Sequence, residues 1–416
     1  MTVSEILFFI AKCLGWILAL CYAYQIIYLF LPLFYKKPVP DTGKLHRYAI
    51  LIAARNEEAV LSHLLSSIRG QDYPAELLQV FVVADNSTDR TAQIAQHNGA
   101  VVFSRFSTHR VGKGYALNYL LEQINMTCGW DAFDAFLVFD ADNVLSPDYI
   151  TQINKVCGAG YDVFCGYRNS KNFGTNWVSA GHALWFLHDS CHLNASRMAL
   201  GNPCTVTGTG FGFTRQLLER YGGWNFFTLT EDIEFSFRCI TDGIKMGYCR
   251  DAMLYDEQPE TCRQSWRQRT RWVQGGVQAS VRYGKALLKG IFRGGRIGYA
   301  CLEATTLSLW GYSAGVFCGC LTLIASGLHT GWPGMLYTLA FTFLWGYCFS
   351  LLIGALTLLM ERKRIRANPT QKLMALFAFP IYTLTYAPIG VTALFRKFHW
   401  PPIEHKVLVS AEDLTK

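Results

Sequence analysis

Ala135-Phe136-Leu137-Val138-Phe139-Asp140-Ala141-Asp142 is an apolar run of strand length that ends in two carboxylates one residue apart. A stretch this uniformly apolar fits a strand covered on both faces. Three runs of the same kind precede it: Tyr48-Ala49-Ile50-Leu51-Ile52-Ala53-Ala54, Gln79-Val80-Phe81-Val82-Val83-Ala84 and Val101-Val102-Phe103. Between the first two, Val60, Leu61, Leu64, Leu65 and Ile68 recur at helical spacing over 57–68, and further helices are predicted over 89–97 and 114–124. Strand–helix alternation with buried strands predicts an α/β fold, a doubly wound parallel sheet with helices on both faces.

Ligands of such sheets gather outside the carboxyl ends of the strands. Those ends carry Ala53-Ala54-Arg55-Asn56-Glu57, Asp85-Asn86-Ser87 and Asp140-Ala141-Asp142. Asp and Asn are also ordinary turn and cap residues, but their arrival on one edge points to a site. Paired carboxylates at a strand end can hold a divalent cation, Mg2+ or Mn2+, that neutralises a diphosphate. Asp85 can accept hydrogen bonds from a nucleotide base or ribose. Lys113 opens a helix between Gly112 and Gly114, where its ammonium can reach phosphate. The chain has no GxGxxG or GxxxxGK[ST] pattern, which argues against a Rossmann or P-loop site.

Beyond residue 150 the pattern is less regular. Thr205-Val206-Thr207-Gly208-Thr209-Gly210-Phe211-Gly212-Phe213 has three alternate glycines, as a strand or loop passed closely by a ligand would. A helix is predicted over 231–240 with Thr230 as N-cap. On it Asp232 is a candidate general base for an attacking hydroxyl, with Glu231 and Glu234 as alternatives. Gln268, Arg271 and Trp272 share a helix face at i, i+3, i+4. An arginine there suits a leaving pyrophosphate, and an indole stacks on a sugar ring.

Residues 6–33, 299–328, 335–360 and 373–395 are each long and apolar enough to span a bilayer. Lys36-Lys37 and Glu361-Arg362-Lys363-Arg364-Ile365-Arg366 place the adjoining loops in the cytosol. The central domain then faces the cytosol of an integral protein of the cell (plasma) membrane. Pro380 and Pro388 allow residues 373–395 to form a kinked, re-entrant or interfacial hairpin with a cytosolic tail. Over 277–296 a basic stripe (Arg282, Lys285, Lys289, Arg293, Arg296) opposes an apolar one (Val277, Val281, Leu288, Ile291, Phe292), as in a helix lying in the membrane interface. A basic helix packed on the soluble domain is the alternative, and Gly284, Gly290, Gly294 and Gly295 weaken the helix. In the cytosol the fourteen cysteines stay reduced and the sequons at Asn86, Asn125 and Asn194 stay unglycosylated. The net charge of +8 suits contact with anionic membrane lipids, and no nucleic-acid module is present.

Asp85, Asp140-Ala141-Asp142, Thr230-Glu231-Asp232 and Gln268-Arg269-Thr270-Arg271-Trp272, in this order, resemble the set that marks membrane-bound family 2 glycosyltransferases. The segments from Gly112 to Asn118 and from Gln268 to Gly276 are most similar to the poly-N-acetylglucosamine synthase branch. The resemblance covers residues 46–276. It implies a GT-A fold, a doubly wound mixed sheet in a cytosolic domain flanked by transmembrane helices. The parts are an anchor (1–36), the catalytic domain (46–276), an interface helix (277–298), membrane segments (299–396) and a tail (397–416). It further implies a nucleotide-sugar donor, such as UDP-N-acetylglucosamine, and inversion by direct displacement onto a growing β-linked glycan. A single transfer to a membrane lipid, as by ceramide glucosyltransferase, is the alternative, and a non-catalytic glycan-binding protein the third reading. By position, Ala53, Arg55, Glu57, Asp85 and Lys113 bind the donor, Asp140 and Asp142 the metal and diphosphate, and Gln268 and Arg271 the leaving group. Asp232 is the base. Trp272, Gly208, Thr209, Gly210 and Phe211 line the acceptor path, and there is room for an accessory subunit. Ala84 and Ala53 depart from the family pattern, where Asp and Pro are common.

Overall fold

The computed structural model describes residues 2–35, 37–395 and 407. Helices α1 (Val3–Tyr22) and α2 (Tyr24–Phe34) come first and form one apolar segment of 32 residues. Then follow β1 (Tyr48–Ala54), α3 (Leu61–Arg69), β2 (Leu78–Asp85), α4 (Thr91–His97), β3 (Val101–Arg105), α5 (Lys113–Cys128) and β4 (Ala135–Asp140). These strands cover the four apolar runs. β1 pairs in parallel with β2 and β4, and β2 with β3. Their burial explains the composition: Tyr48 to Ile52 and Ala135 to Phe139 are fully enclosed. Helix α3 starts only at Leu61, because the amides of Glu57 and Glu58 bond to Thr91 and Asp89 across the strand ends.

Next come β5 (Val144–Leu145), α6 (Tyr149–Gly158), β6 (Val163–Ser170), α7 (Trp177–His188) and a π-helical turn (Asp189–Asn194). Helix α8 (Ala195–Leu200), β7 (Phe211–Thr214), α9 (Arg215–Arg220), α10 (Glu231–Asp242) and β8 (Met246–Asp256) complete the domain. The eight-stranded sheet has the order β3-β2-β1-β4-β7-β6-β8-β5. Because β7 runs antiparallel to β4 and β6, the sheet is parallel only through its first half and mixed beyond. Helices cover both faces and enclose two apolar cores.

Helix α11 (Cys262–Ile291) runs unbroken for 30 residues, so the boundary expected at 276/277 falls inside it. Its second half packs on α10 and α12 (Gly295–Thr306) through Ala279, Ser280, Gly284, Leu287 and Gly290. Gly284 and Gly290 therefore serve packing: a Cβ at either would stand 2.4 Å from Trp310 or Cys301. The apolar Val281, Leu288 and Phe292 are exposed together with Lys285, Lys289 and Arg293. A third stripe, mostly of small residues, makes the protein contact and leaves most of both expected stripes facing outward, with Val277 and Ile291 half-buried and Arg282 paired with Glu234.

The long apolar helix α13 (Leu309–Met360) folds back on itself at Gly331 (φ 69°). Residues twelve apart on a straight helix are ~18 Å distant, yet the hydroxyls of Ser326 and Thr338 meet at 2.8 Å. A Cβ on Gly327 would likewise touch Met335 Sδ at 2.8 Å. The segment is thus an antiparallel pair of helices, packed on α1. The first long apolar helix after the central domain begins at Leu309, not at 299, because α12 is separate and carries Glu303, buried against Arg197 (2.7 Å) and Tyr28 (3.0 Å).

Helices α14 (Pro369–Leu384) and α15 (Tyr386–Phe395) lie along α7 and α11. Gln371 donates to Gly174 O, Arg269 to Tyr382 O and Gln274 to Ala393 O, at 2.8–2.9 Å. Residues 369–393 form a nearly continuous apolar helix of 25 residues, long enough to cross a membrane, that is tied to the central domain at both ends. The tail over 397–416 lies outside the described residues except for Val407. All fourteen cysteines are free.

Candidate active site

In-register pairing of Ala53 with Val83 and with Asp140 brings the carboxyl ends of β1, β2 and β4 into one row. A cavity of about 420 Å³ opens there. Asn56 (φ 57°) and Asn86 (φ 53°) turn the chain at two of these ends in the left-handed conformation that asparagine tolerates. Their side chains fix the turns by accepting from Thr88 N and Ser107 N, at 2.8 and 2.9 Å.

On the sheet side, Ala53, Arg55, Glu57, Asp85, Asp140 and Asp142 line the cavity. Buried Asp142 accepts from Glu257 N (3.0 Å) and Asn143 Nδ2 (3.2 Å). Lys113 pairs with Asp140 and donates to Gly208 O at 2.7 Å. Burial alone would lower its pKa, but Asp140 and Glu231 raise it, so the ammonium stays charged. Its placement depends on two glycines. Gly112 has φ 137°, and a Cβ on Gly114 would lie 2.1 Å from Phe226 O. Asp85 is buried and held by Arg105; burial raises its pKa and Arg105 opposes the rise.

Opposite stand Glu231 and Asp232, in the first turn of α10. Burial, reinforced by Asp232 and opposed by Lys113, pushes Glu231 up to about 7. Burial also raises Asp232, against the amide of Ile233 and the charge of Lys113. The Asp232 carboxylate is 3.9 Å from where a Cβ on Gly208 would stand. Glu234 is taken up structurally: fully buried, it accepts from Phe227 N and Thr228 N and pairs with Arg282 at 2.6 Å. Thr230 occupies the N-cap position without a capping bond. Its hydroxyl instead faces Gly275, where a Cβ would lie 2.4 Å away. Bare backbone at 275 lets α11 seat against the turn that presents Asp232.

Gln268, Arg271 and Trp272 project from α11 into the cavity. Gln268 Oε1 is buried with no hydrogen-bond partner among the described residues. Burial lowers the Arg271 pKa while Glu231, Asp140 and Asp232 counter it. Trp272 is held edge-on by His182 and Phe186, each 5.6 Å between ring centres. Arg269 faces the other way, over Tyr382 at 4.3 Å.

Residues 46–275 match the family described as "Glycosyltransferase like family 2". The chain belongs to that family. It is 31% identical over 271 residues to a beta-monoglucosyldiacylglycerol synthase of Nostoc, covering 62% of this chain and 54% of that protein. It is 25% identical over 252 residues to a poly-beta-1,6-N-acetyl-D-glucosamine synthase of Staphylococcus aureus, covering 59% and 58%. The chain thus spans little more than half the length of these relatives. In fold it is similar to a mannosyltransferase from Pyrobaculum calidifontis solved with GDP-Man and Mn2+. The TM-score is 0.58 at 19% identity, covering 92% of this chain and 99% of that one. The mixed sheet is of the GT-A type.

The family pattern and the geometry part company in the acceptor segment. Gly208 reaches the cavity. Thr209 is buried beneath it, its hydroxyl accepting from Asp140 N at 2.9 Å. Gly210 O is taken by Tyr149, and Phe211 lies wholly in the core against Trp224. The latter three support the wall without lining it. Conversely, Arg168, Glu257, Gln264 and Arg267 line the cavity without having been singled out from sequence. Arg168 pairs with Asp256 at 2.5 Å, donates to Thr207 O and lies over the Phe186 ring. Burial, opposed by Arg168, pushes Asp256 up to about 6. The available signal was the run from Val163 to Tyr167, a buried strand that delivers Arg168 to the same edge as Asp140.

No cluster of three or more His, Cys, Asp or Glu able to hold a metal occurs among the described residues. Two carboxylates at a cavity wall nevertheless fit Mg2+ or Mn2+, which take one or two such ligands and complete their shell with phosphate and water.

Proposed function

We propose that the chain is an inverting glycosyltransferase that moves one sugar from a nucleoside-diphosphate sugar, a UDP-sugar, to the hydroxyl of a membrane lipid. One observation carries the reading: a single cavity joins the cations and carboxylates suited to a diphosphate with the Glu231–Asp232 pair and Trp272. Asp232, the more accessible of the two acids, takes the proton of the acceptor hydroxyl as its oxygen bonds to the anomeric carbon. The bond from that carbon to the diphosphate breaks on the opposite face, and the nucleoside diphosphate leaves with the electron pair, met by Lys113 and Arg271. Mg2+ or Mn2+ at Asp140 and Asp142 supplies further neutralisation of the diphosphate when bound. Ala53, Arg55, Glu57 and Asp85 hold the nucleoside.

A lipid acceptor is supported by the 31% identity to a diacylglycerol glucosylating enzyme and by α14 and α15. These apolar helices lie on α7 and α11, which carry the rings around Trp272. The second reading, extension of a β-linked glycan, draws on the relative that makes a glucosamine polymer and on the sugar-stacking face of Trp272. In either case a place on the cytosolic face of the cell membrane is supported by the basic loops beside the apolar segments.

The test is to supply membranes containing the protein with a panel of labelled nucleotide sugars plus Mg2+ or Mn2+, then size the products. A solvent-extractable glycolipid bearing one sugar is expected. A water-soluble polymer would replace the first reading with the second, and no transfer or hydrolysis of any donor would remove both.

A further inference from the structure

A second cavity, of about 760 Å³, lies away from the active site, where α2 and α13 end against the central domain. Its walls change character from end to end. Pro32, Met198, Leu359 and Met360 give an apolar side level with the last turns of the two membrane segments. Lys37, Lys155, Arg250, Arg362, Lys363 and Arg364 give a cationic side, against only Asp251 and Glu361.

Those two acids are already engaged. Glu361 is buried and shared by Arg250 (2.5 Å), Arg364 (3.7 Å) and the Tyr167 hydroxyl (2.9 Å). Asp251 pairs with Arg364 at 3.4 Å. Lys155 reaches exposed Asp41 at 3.8 Å. Lys37, Arg362 and Lys363 have no carboxylate within 4 Å among the described residues. The strand itself is interrupted to build this wall. In the β6–β8 pair, Gly166 faces Cys249 but Tyr167 faces Met253, so residues 250–252 bulge out and carry Arg250 to the cavity.

We infer that this cavity binds the phosphate headgroup of an anionic phospholipid, with the acyl chains leaving along Pro32, Leu359 and Met360. Clustered cations at a membrane helix end attract anionic headgroups, and the apolar wall gives a lipid contacts that free phosphate lacks. The site is independent of the sugar-transfer reading, and its occupant bridges the membrane helices to β8.

The experiment uses the full chain, purified in detergent and exchanged into phosphatidylcholine vesicles with and without phosphatidylglycerol. Lipid retained after repurification is counted by native mass spectrometry. Wild type is expected to keep phosphatidylglycerol, and Arg362→Gln with Lys363→Gln to weaken retention about fivefold per cation removed. The charge-preserving pair Arg362→Lys, Lys363→Arg restores it, which separates loss of charge from misfolding. Lys285→Gln with Lys289→Gln, on the outward face of α11, is the control. Equal loss in the control pair, or retention unchanged in the 362/363 pair, overturns the site. Displacement of the lipid by millimolar inorganic phosphate shows a site for the free anion and overturns the lipid assignment.

Discussion

Asp232 and Glu231 are adjacent acids in one cavity, and their surroundings divide the work between them. Glu231 is the more enclosed and holds its proton up to about neutrality, while Asp232 reaches the space beside Gly208. Asp232→Asn keeps shape and removes the base. Transfer is expected to fall by about 10²–10⁴, with donor affinity by calorimetry within a few-fold of wild type. Retained turnover would take Asp232 out of the base role. Burial raises the Asp232 pKa, so protonation removes base capacity and kcat should decline with falling pH from a point above the ordinary aspartate range. Stability moves the other way. A carboxyl whose pKa is raised by folding contributes stability below its ordinary value and loses that contribution as pH rises through about 7. Thermal melts should therefore fall from pH 5 to 8, opposite in sense to the rate's response to pH, and Glu231→Gln should flatten the melting trend.

Helix α11 is the element on which the site depends, because it faces Asp232 with Gln268, Arg271 and Trp272 while its back binds α14 and α15. Gly275 sets its distance from α10. Gly275→Ala pushes a methyl into Thr230, and overpacking of this kind costs about 1–3 kcal/mol. Denaturant unfolding should show that loss, with kcat reduced more than donor KM because the turn bearing Asp232 shifts. The same element shows what sequence can and cannot convey. Its i, i+3, i+4 face was legible, as were β1 to β4, because periodicity and uniform burial are local signals. Strand β8 was not: Arg250 and Asp251 interrupt its apolar pattern where the chain bulges, and its pairing with β6 is a tertiary fact. Arg168 is hidden in the sequence for a related reason, since one arginine near the end of a strand has meaning only once β6 is known to lie near β4. Phe211 was misplaced because a Gly-Phe alternation beside a motif reads equally as ligand wall or as core.

At the scale of the whole molecule, the longest of the three apolar helical segments is a hairpin, flanked by Val3–Phe34 and Pro369–Ala393. The reversal at Gly331 places Trp332 at the opposite end of the hairpin from both Leu309 and Met360. A reporter fused after residue 332 should be active only on the far side of the membrane, and one fused after 366 only on the cytosolic side. The same side for both would refute the hairpin as a crossing. Arg197 ties this membrane half to the catalytic half. Its guanidinium is buried, and its tightest partner, Glu303, lies 106 residues further along the chain. Breaking such a pair costs several kcal/mol. During synthesis Arg197 therefore leaves the ribosome before Glu303 has been made, and the pair can close only when α12 follows, just ahead of α13. The contact that joins the two halves is thus made after every strand of the sheet and before the hairpin in the order of the chain.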